Sequence, residues 1–172
     1  MKTIKIASIP ADGIGPEVIS AGIEVVEAVC ARNHDVTIEF THFDWGSDYY
    51  KTHGMMMPED GLAQLKAFDA IYFGAVGAPD VPDHITLWGL RLPICQGFDQ
   101  YANVRPTKII PGIASPLRGV EVGDLDWIIV RENSEGEYSG HGGRSHKGMP
   151  EEVGTEVAIF TRPGVARIMR FA

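Results

Sequence analysis

The chain has 172 residues, 44% of them hydrophobic and 22% charged, with a formal net charge of −8. That composition is ordinary for a globular protein, and the acidic excess argues against a general nucleic-acid binder or attraction to an anionic membrane surface. It leaves room for a local arginine cluster that binds an acidic small molecule.

No apolar run is long enough to span a bilayer, and the start "MKTIKIASIP" lacks the long apolar segment of a secretion signal. Cys30 and Cys95 do not suggest a disulfide framework, so a cytoplasmic protein is the expectation. In chain order, "TIKIASIP" reads as a short buried strand ending at "ADGIGPEV". Pro16 suits the first position of a helix, where its missing N–H is unpaired in any case. Glu17 then sits at the positive end of the helix dipole. Val18, Gly22, Val25, Val26 and Val29 follow at helical spacing, so that face is expected to pack on a sheet. "VTIEFTHF" alternates apolar with polar, as a half-buried strand does. "MPEDGLAQLKAF" sets Leu62, Leu65 and Phe68 at helical spacing, and "DAIYFGAVGAPD" is another strand running into a glycine-rich turn. This strand–helix–strand–helix–strand order predicts an α/β fold, a largely parallel sheet with flanking helices.

Near "FDQYANVRP" the pattern changes, and a domain crossover is expected there. "LDWIIV" and "EVAIF" are later strands; the polar, glycine-rich "GEYSGHGGRSHKGMPEEVG" between them reads as a flexible loop or β-ribbon arm, with a binding loop as the alternative. In "TRPGVARIMRFA", Thr161 is the expected helix cap and Val165, Ile168, Met169 and Ala172 form an apolar stripe. With no glycine cap or partner element after it, the sequence reads as cut off mid-domain.

"ADGIGPEV" joins a strand to a helix N-terminus, as phosphate-binding glycine loops do. It lacks both the G-x-G-x-x-G spacing and a P-loop lysine, and a tight turn that needs glycine explains it equally well. "GAVGAPD" is a second such turn, and two of them at strand carboxyl ends border the usual ligand crevice of an open α/β sheet. Arg105 precedes Pro106, which favours an extended conformation, and Arg131 follows directly on a strand. Two guanidinium forks held this way suit bidentate capture of carboxylates; the alternative for each is a structural Asp or Glu. Tyr138 is a candidate proton donor, or else a buried tyrosine with a satisfied hydroxyl. His141 and His146 lack a third metal ligand in reach, and Cys95 lacks a paired histidine.

Taken together, "ADGIGPEV", "FDAIYFGAVGAPD", "FDQYANVRP" and "VRENSEGEY" resemble the β-decarboxylating dehydrogenases, the isocitrate and isopropylmalate dehydrogenase family. "VPDHITLWGL" and "RENSEGEYS" resemble its tartrate dehydrogenase and D-malate dehydrogenase (decarboxylating) branch. The resemblance implies an isopropylmalate dehydrogenase-like fold that binds NAD without the Rossmann fingerprint, and a homodimer. It implies that Arg105 and Arg131 clamp the carboxylates of a 2-hydroxy diacid and that Tyr138 takes part in proton transfer. Ala75, Val76, Leu87 and Trp88 match the segment on the nicotinamide side of the cofactor. Residues 1–104 would be the N-terminal part of the large α/β domain with part of the NAD site, and 105–172 the start of the smaller substrate and dimerisation domain with its β-arm.

The departures are equally specific. Family members are longer, and the aspartates that hold Mg²⁺ or Mn²⁺ and the catalytic lysine are expected in a C-terminal half beyond these residues. The expected activity is therefore NAD-dependent oxidation and metal-assisted decarboxylation of a 2-hydroxy diacid; the alternative is a catalytically inactive fragment or ligand-binding remnant. The usual "GDGIG" is here "ADGIG", with Ala11. Cys95, ten residues before Arg105, stands where the family pattern has another substrate arginine. Losing that charged donor costs about 1.5–3 kcal/mol of binding. Arg91 lies near Cys95 in sequence, but on a helix or turn it need not face the same way.

Overall fold

The computed structural model describes residues 2–33 and 35–172. The chain divides into two compact units, Met1–Gly97 and Phe98–Ala172. The domain boundary expected at 104/105 falls inside a strand, Ala102–Lys108, that lies wholly in the second unit.

The first unit is built on three parallel strands in the order β2–β1–β3. β1 (Lys2–Ala11) is central: Ile6 pairs with Phe40 of β2 (Val36–His42) on one side and Ala70 of β3 (Ala70–Ala75) on the other. Covered on both faces, β1 buries Ala7, Ser8 and Ile9 completely. Helix α1 (Gly15–Arg32) joins β1 to β2 and begins as expected, with proline in its first turn and Glu17 beside it. Its packing face differs from the expected one. Val18, Val25 and Val29 are exposed, whereas Gly15 and Ile19 are buried and Gly22, Ile23, Val26 and Cys30 are half-buried behind them. The isoleucine–glycine stripe wins because it lets the helix come close: a Cβ on Gly22 would collide with the Tyr72 hydroxyl. Valine at helical spacing was a misleading signal.

Between β2 and β3 the chain forms α2 (Ser47–His53) and α3 (Gly61–Leu65), the first with no clear apolar period in the sequence. After β3 come α4 (Asp83–Thr86), a π-helical turn (Leu87–Arg91) and α5 (Leu92–Gly97).

The second unit consists of two antiparallel ribbons and a helix. β4 (Ala102–Lys108) pairs with β5 (Asp126–Glu132), and β6 (Gly136–Ser145) with β7 (Val153–Ile159). The polar, glycine-rich segment is thus a β-ribbon arm, with an irregularity between Gly136 and His141. Helix α6 (Arg162–Phe171) starts as expected at Thr161, whose hydroxyl accepts from the Gly164 N–H at 3.1 Å. Glu135 completes that cap, accepting from the Thr161 N–H at 2.8 Å and its hydroxyl at 2.6 Å.

Candidate functional site

The connection through α1 leaves β1 toward β2, while the return to β3 lands on the opposite side of β1. The carboxyl ends of β1 and β3 therefore flank a topological switch point, where open α/β sheets form their ligand crevice. Ala11 pairs with Ala75 at that edge, so Ala75 and Val76, two of the expected cofactor residues, stand at its mouth. Two glycines let the backbones meet there. A Cβ on Gly15 or Gly74 would strike the Pro10 carbonyl oxygen, whereas Gly77 (φ +132°) has open space on its side-chain face. Small residues and free room at a strand end suit the close approach of a dinucleotide.

Asp12 ties this edge together and was not singled out in the sequence. It is 7% exposed. Its carboxylate accepts from the Ser47 N–H (2.7 Å), the Ser47 hydroxyl (2.7 Å) and the Gly77 N–H (2.9 Å), while its own N–H donates to the Ala75 carbonyl (2.7 Å).

Leu87 and Trp88 lie in the π-helical turn and Cys95 in α5. Thr86, Leu90 and Ile94 form the buried stripe of this helical stretch, and Leu87, Arg91 and Cys95 form a half-buried stripe beside it. Residues four apart share a helix face, so Arg91 shares a face with Cys95 one turn away. Trp88 is 39% exposed and lines an open cavity of about 370 Å³ with Tyr50, Met55, Met57 and His84. π turns of this kind occur often at functional sites.

In the second unit the register brings together the two arginines expected to form a clamp. Asn103 faces Arg131 and Arg105 faces Ile129 across the β4–β5 ribbon. Arg105 and Arg131 are thus diagonal neighbours on one face, a separation of roughly 7–8 Å at the backbone. The Arg131 guanidinium lies over the Tyr138 ring, 5.3 Å from its centre. Among the described residues Arg131 Nε is buried and has no hydrogen-bond partner. Buried donors are nearly always satisfied, so an orphan at this place suits a ligand acceptor.

The next residue, Glu132, points to the other face and does structural work. Its carboxylate accepts from the Ser134 hydroxyl at 2.6 Å and from the backbone N–H groups of Ser134 and Glu135. Partial burial pushes this carboxyl up, but hydrogen bonds from Ser134, Glu135 and Asn133 outweigh it and hold the group below its ordinary value. Arg167 reaches in from α6. It donates to Asp99 (2.9 Å) and Ser134 (2.7 Å), pairs with Glu132 at 3.7 Å, and lies 4.4 Å from the Tyr101 ring centre. Asn133 is 4% exposed; its N–H donates to the Tyr101 carbonyl and its amide to that of Gln100. The cluster of polar residues at the end of "DWIIV" therefore divides by strand face, Arg131 toward the candidate site and Glu132 into a brace.

No group of three His, Cys, Asp or Glu suited to holding a metal ion occurs among the described residues. His141 and His146 are exposed on the arm. The described residues therefore do not by themselves fit a divalent cation.

A family model for isocitrate/isopropylmalate dehydrogenase matches residues 5–172, and the chain belongs to that family. It is 77% identical over 172 residues to a probable tartrate dehydrogenase/decarboxylase of Agrobacterium vitis, an alignment covering 100% of this chain and 48% of that relative. It is 52% identical over 174 residues to the decarboxylating D-malate dehydrogenase of Escherichia coli (strain K12), covering 100% of this chain and 48% of that relative. Isocitrate dehydrogenase from Methylococcus capsulatus has a matching structure, with TM-score 0.78 and 28% identity over 98% of this chain and 46% of that one. The chain spans about half the length of the curated relatives it matches. No helix among the described residues is long and apolar enough to cross a membrane.

Proposed function

We propose that the chain carries the diacid clamp and part of the NAD site of a dehydrogenase that oxidises and decarboxylates a 2-hydroxy dicarboxylate of the tartrate or D-malate type. The observation that carries this reading is the orphaned, buried Arg131 Nε above Tyr138, with Arg105 diagonal to it on the same strand face. A carboxylate would satisfy that donor, and two guanidinium forks on one rigid ribbon would fix both ends of a short diacid. In the first unit, Arg91 stands one helical turn from Cys95, the position where the family pattern has a third arginine.

Each residue has a defined task in this reading. Arg105 and Arg131 orient the substrate and offset the charge of its carboxylates. Tyr138 supplies a phenolic O–H, held against Arg131, to move a proton once the carboxyl group has left. Ala75, Val76, Leu87 and Trp88 shape the nicotinamide side of the cofactor. Bound beside these residues, NAD would supply the hydride acceptor for oxidation at the hydroxyl carbon. Any Mg²⁺ or Mn²⁺ in the reaction takes its ligands from outside the described residues, and a homodimer is part of the same proposal.

Calorimetric titration of tartrate, D-malate and NAD separately into the protein tests this. Arg131→Lys keeps the charge but loses the planar fork, so diacid affinity should fall about ten- to a hundredfold while NAD affinity changes far less. Failure of the parent protein to bind any such diacid would overturn the reading. Diacid and NAD binding with no NADH formation would favour the alternative, a binding role without turnover.

A further inference from the structure

The carboxyl edge of β1 and β3 contains a buried anion that the clamp chemistry does not use. Asp12 lies at the switch point with both carboxylate oxygens engaged: one accepts from the Ser47 N–H at 2.7 Å, the other from the Ser47 hydroxyl at 2.7 Å and the Gly77 N–H at 2.9 Å. Its main chain is engaged too, the N–H donating to the Ala75 carbonyl at 2.7 Å. Residue 12 therefore grips the turn after β3 at two points, the peptide oxygen before Val76 and the peptide nitrogen after it. Those two bonds set the peptide planes on both sides of Val76, and with them the direction in which that residue faces the crevice.

Strand pairing alone does not give this control. β3 ends at Ala75, and Gly77, at φ +132° with nothing near its side-chain face, has no packing to hold it. A glycine in that region is free to adopt other conformations unless a hydrogen bond selects one. The carboxylate supplies that bond, and it is itself held from behind by α2 through Ser47. Only an acceptor-only side chain satisfies three converging donors; an amide in its place turns one acceptor into a donor.

We propose that Asp12 is a positioning residue for the cofactor: it holds the Ala75–Gly77 turn in its binding conformation through the Gly77 N–H. This rests on the assignment of Ala75 and Val76 to the cofactor side, and it assigns a role to a residue that touches neither substrate nor reacting atoms.

The test compares Asp12→Ala with Ser47→Ala in the whole protein, reading amide hydrogen exchange at residues 75–78, melting temperature, and dissociation constants for NAD and D-malate. Both variants lose buried hydrogen bonds and should melt earlier. Only Asp12→Ala frees the turn: the Gly77 amide should exchange faster and NAD should bind about tenfold more weakly, with D-malate affinity little changed. In Ser47→Ala the bond to Gly77 remains, and NAD affinity should stay within about twofold. If Asp12→Ala fails to fold, Asp12→Val takes its place, because it refills more of the volume while removing both acceptors, the one for Gly77 included. An unchanged Gly77 amide in the Asp12 variant overturns the proposal. So does an equal loss of NAD affinity in the Asp12 and Ser47 variants, since that would be a general loss of structure. A parent protein that binds no NAD sinks the cofactor assignment instead, and the exchange measurement then still decides whether Asp12 holds the turn.

Discussion

The two units solve the problem of burial differently. Every hydrophobic residue of the buried core, from Ala7 and Ile9 to Leu90, Leu92 and Ile94, belongs to Met1–Gly97. Of the twenty-one exposed large hydrophobic residues among those described, fifteen belong to Phe98–Ala172, among them Trp127, Ile128, Phe160 and Met169. The first unit is held by packing around a central strand. The second is held by ribbon pairing and by polar ties, with Asn133 and the Glu132–Ser134–Arg167 brace at their centre. With so few apolar side chains packed inside it, the second unit should hold its shape less firmly than the first.

Glycine substitutions give the largest contrast. A Cβ on Gly74 would strike the Pro10 carbonyl oxygen and stand 3.0 Å from Gly15 Cα, both backbone atoms with no freedom to move aside. Gly74→Ala should therefore cost about 3 kcal/mol or more of global stability. Gly154 on the arm meets nothing within 4 Å, and Gly154→Ala should change stability by less than about 0.5 kcal/mol. Chemical denaturation of the two variants checks this; equal losses would mean that the arm is as tightly packed as the sheet.

The brace is the next largest. Arg167→Ala removes its bonds to Asp99 and Ser134 and its pairing with Glu132, at a cost of about 2 kcal/mol. Hydrogen exchange should localise the effect to β5 and α6, leaving β1 protected. Acceleration throughout both units would show that the brace is coupled to the sheet around β1. The same brace predicts a pH effect. The folded state holds the Glu132 carboxyl below its ordinary value, so its contribution is complete above the unfolded carboxylate pKa and fades as pH falls through the lowered one. Stability of the second unit should thus decline below about pH 4.5. Glu132→Gln should flatten that acid limb while lowering stability at neutral pH, as a pH series of melting curves would show.

What was legible in the sequence follows the same division. Strands that alternate or run apolar, and a helix begun by Pro16 and Glu17, announced themselves because period and end chemistry are local. So did Thr161, whose cap needs only the N–H of Gly164. The face of α1 was misread because valines at 18, 25 and 29 imitate a core stripe, and the choice is made by Tyr72, fifty residues beyond Gly22 in the sequence. β4 was hidden because none of its residues is buried and their sequence carries no apolar alternation. Arg131 and Tyr138 were visible only as members of a motif; that they touch, and that Glu132 turns the other way, depends on strand pairing. Asp12 and Arg167 escaped notice because their partners, Gly77 and Asp99, lie 65 and 68 residues away.

The smallest effect sharpens the comparison at the level of single backbone angles. Ala11, where the family pattern has glycine, has φ +56°, and His146 at the tip of the arm has φ +52°. A side chain in this left-handed region costs roughly 1–2 kcal/mol relative to ordinary helical backbone, somewhat less for histidine than for alanine. Glycine removes that strain, but it raises the entropy of the unfolded chain and gives back about 0.4–1 kcal/mol. Ala11→Gly should therefore stabilise the protein by at most about 1 kcal/mol, seen as a higher denaturation midpoint at unchanged slope. His146→Gly brings similar local relief, but its segment lies outside the packed core and opens without unfolding the sheet. It should leave the global midpoint where it was. A gain from His146→Gly as large as that from Ala11→Gly would show that the arm unfolds together with the core. The contrast between the two units would then lie in burial alone and not in cooperativity.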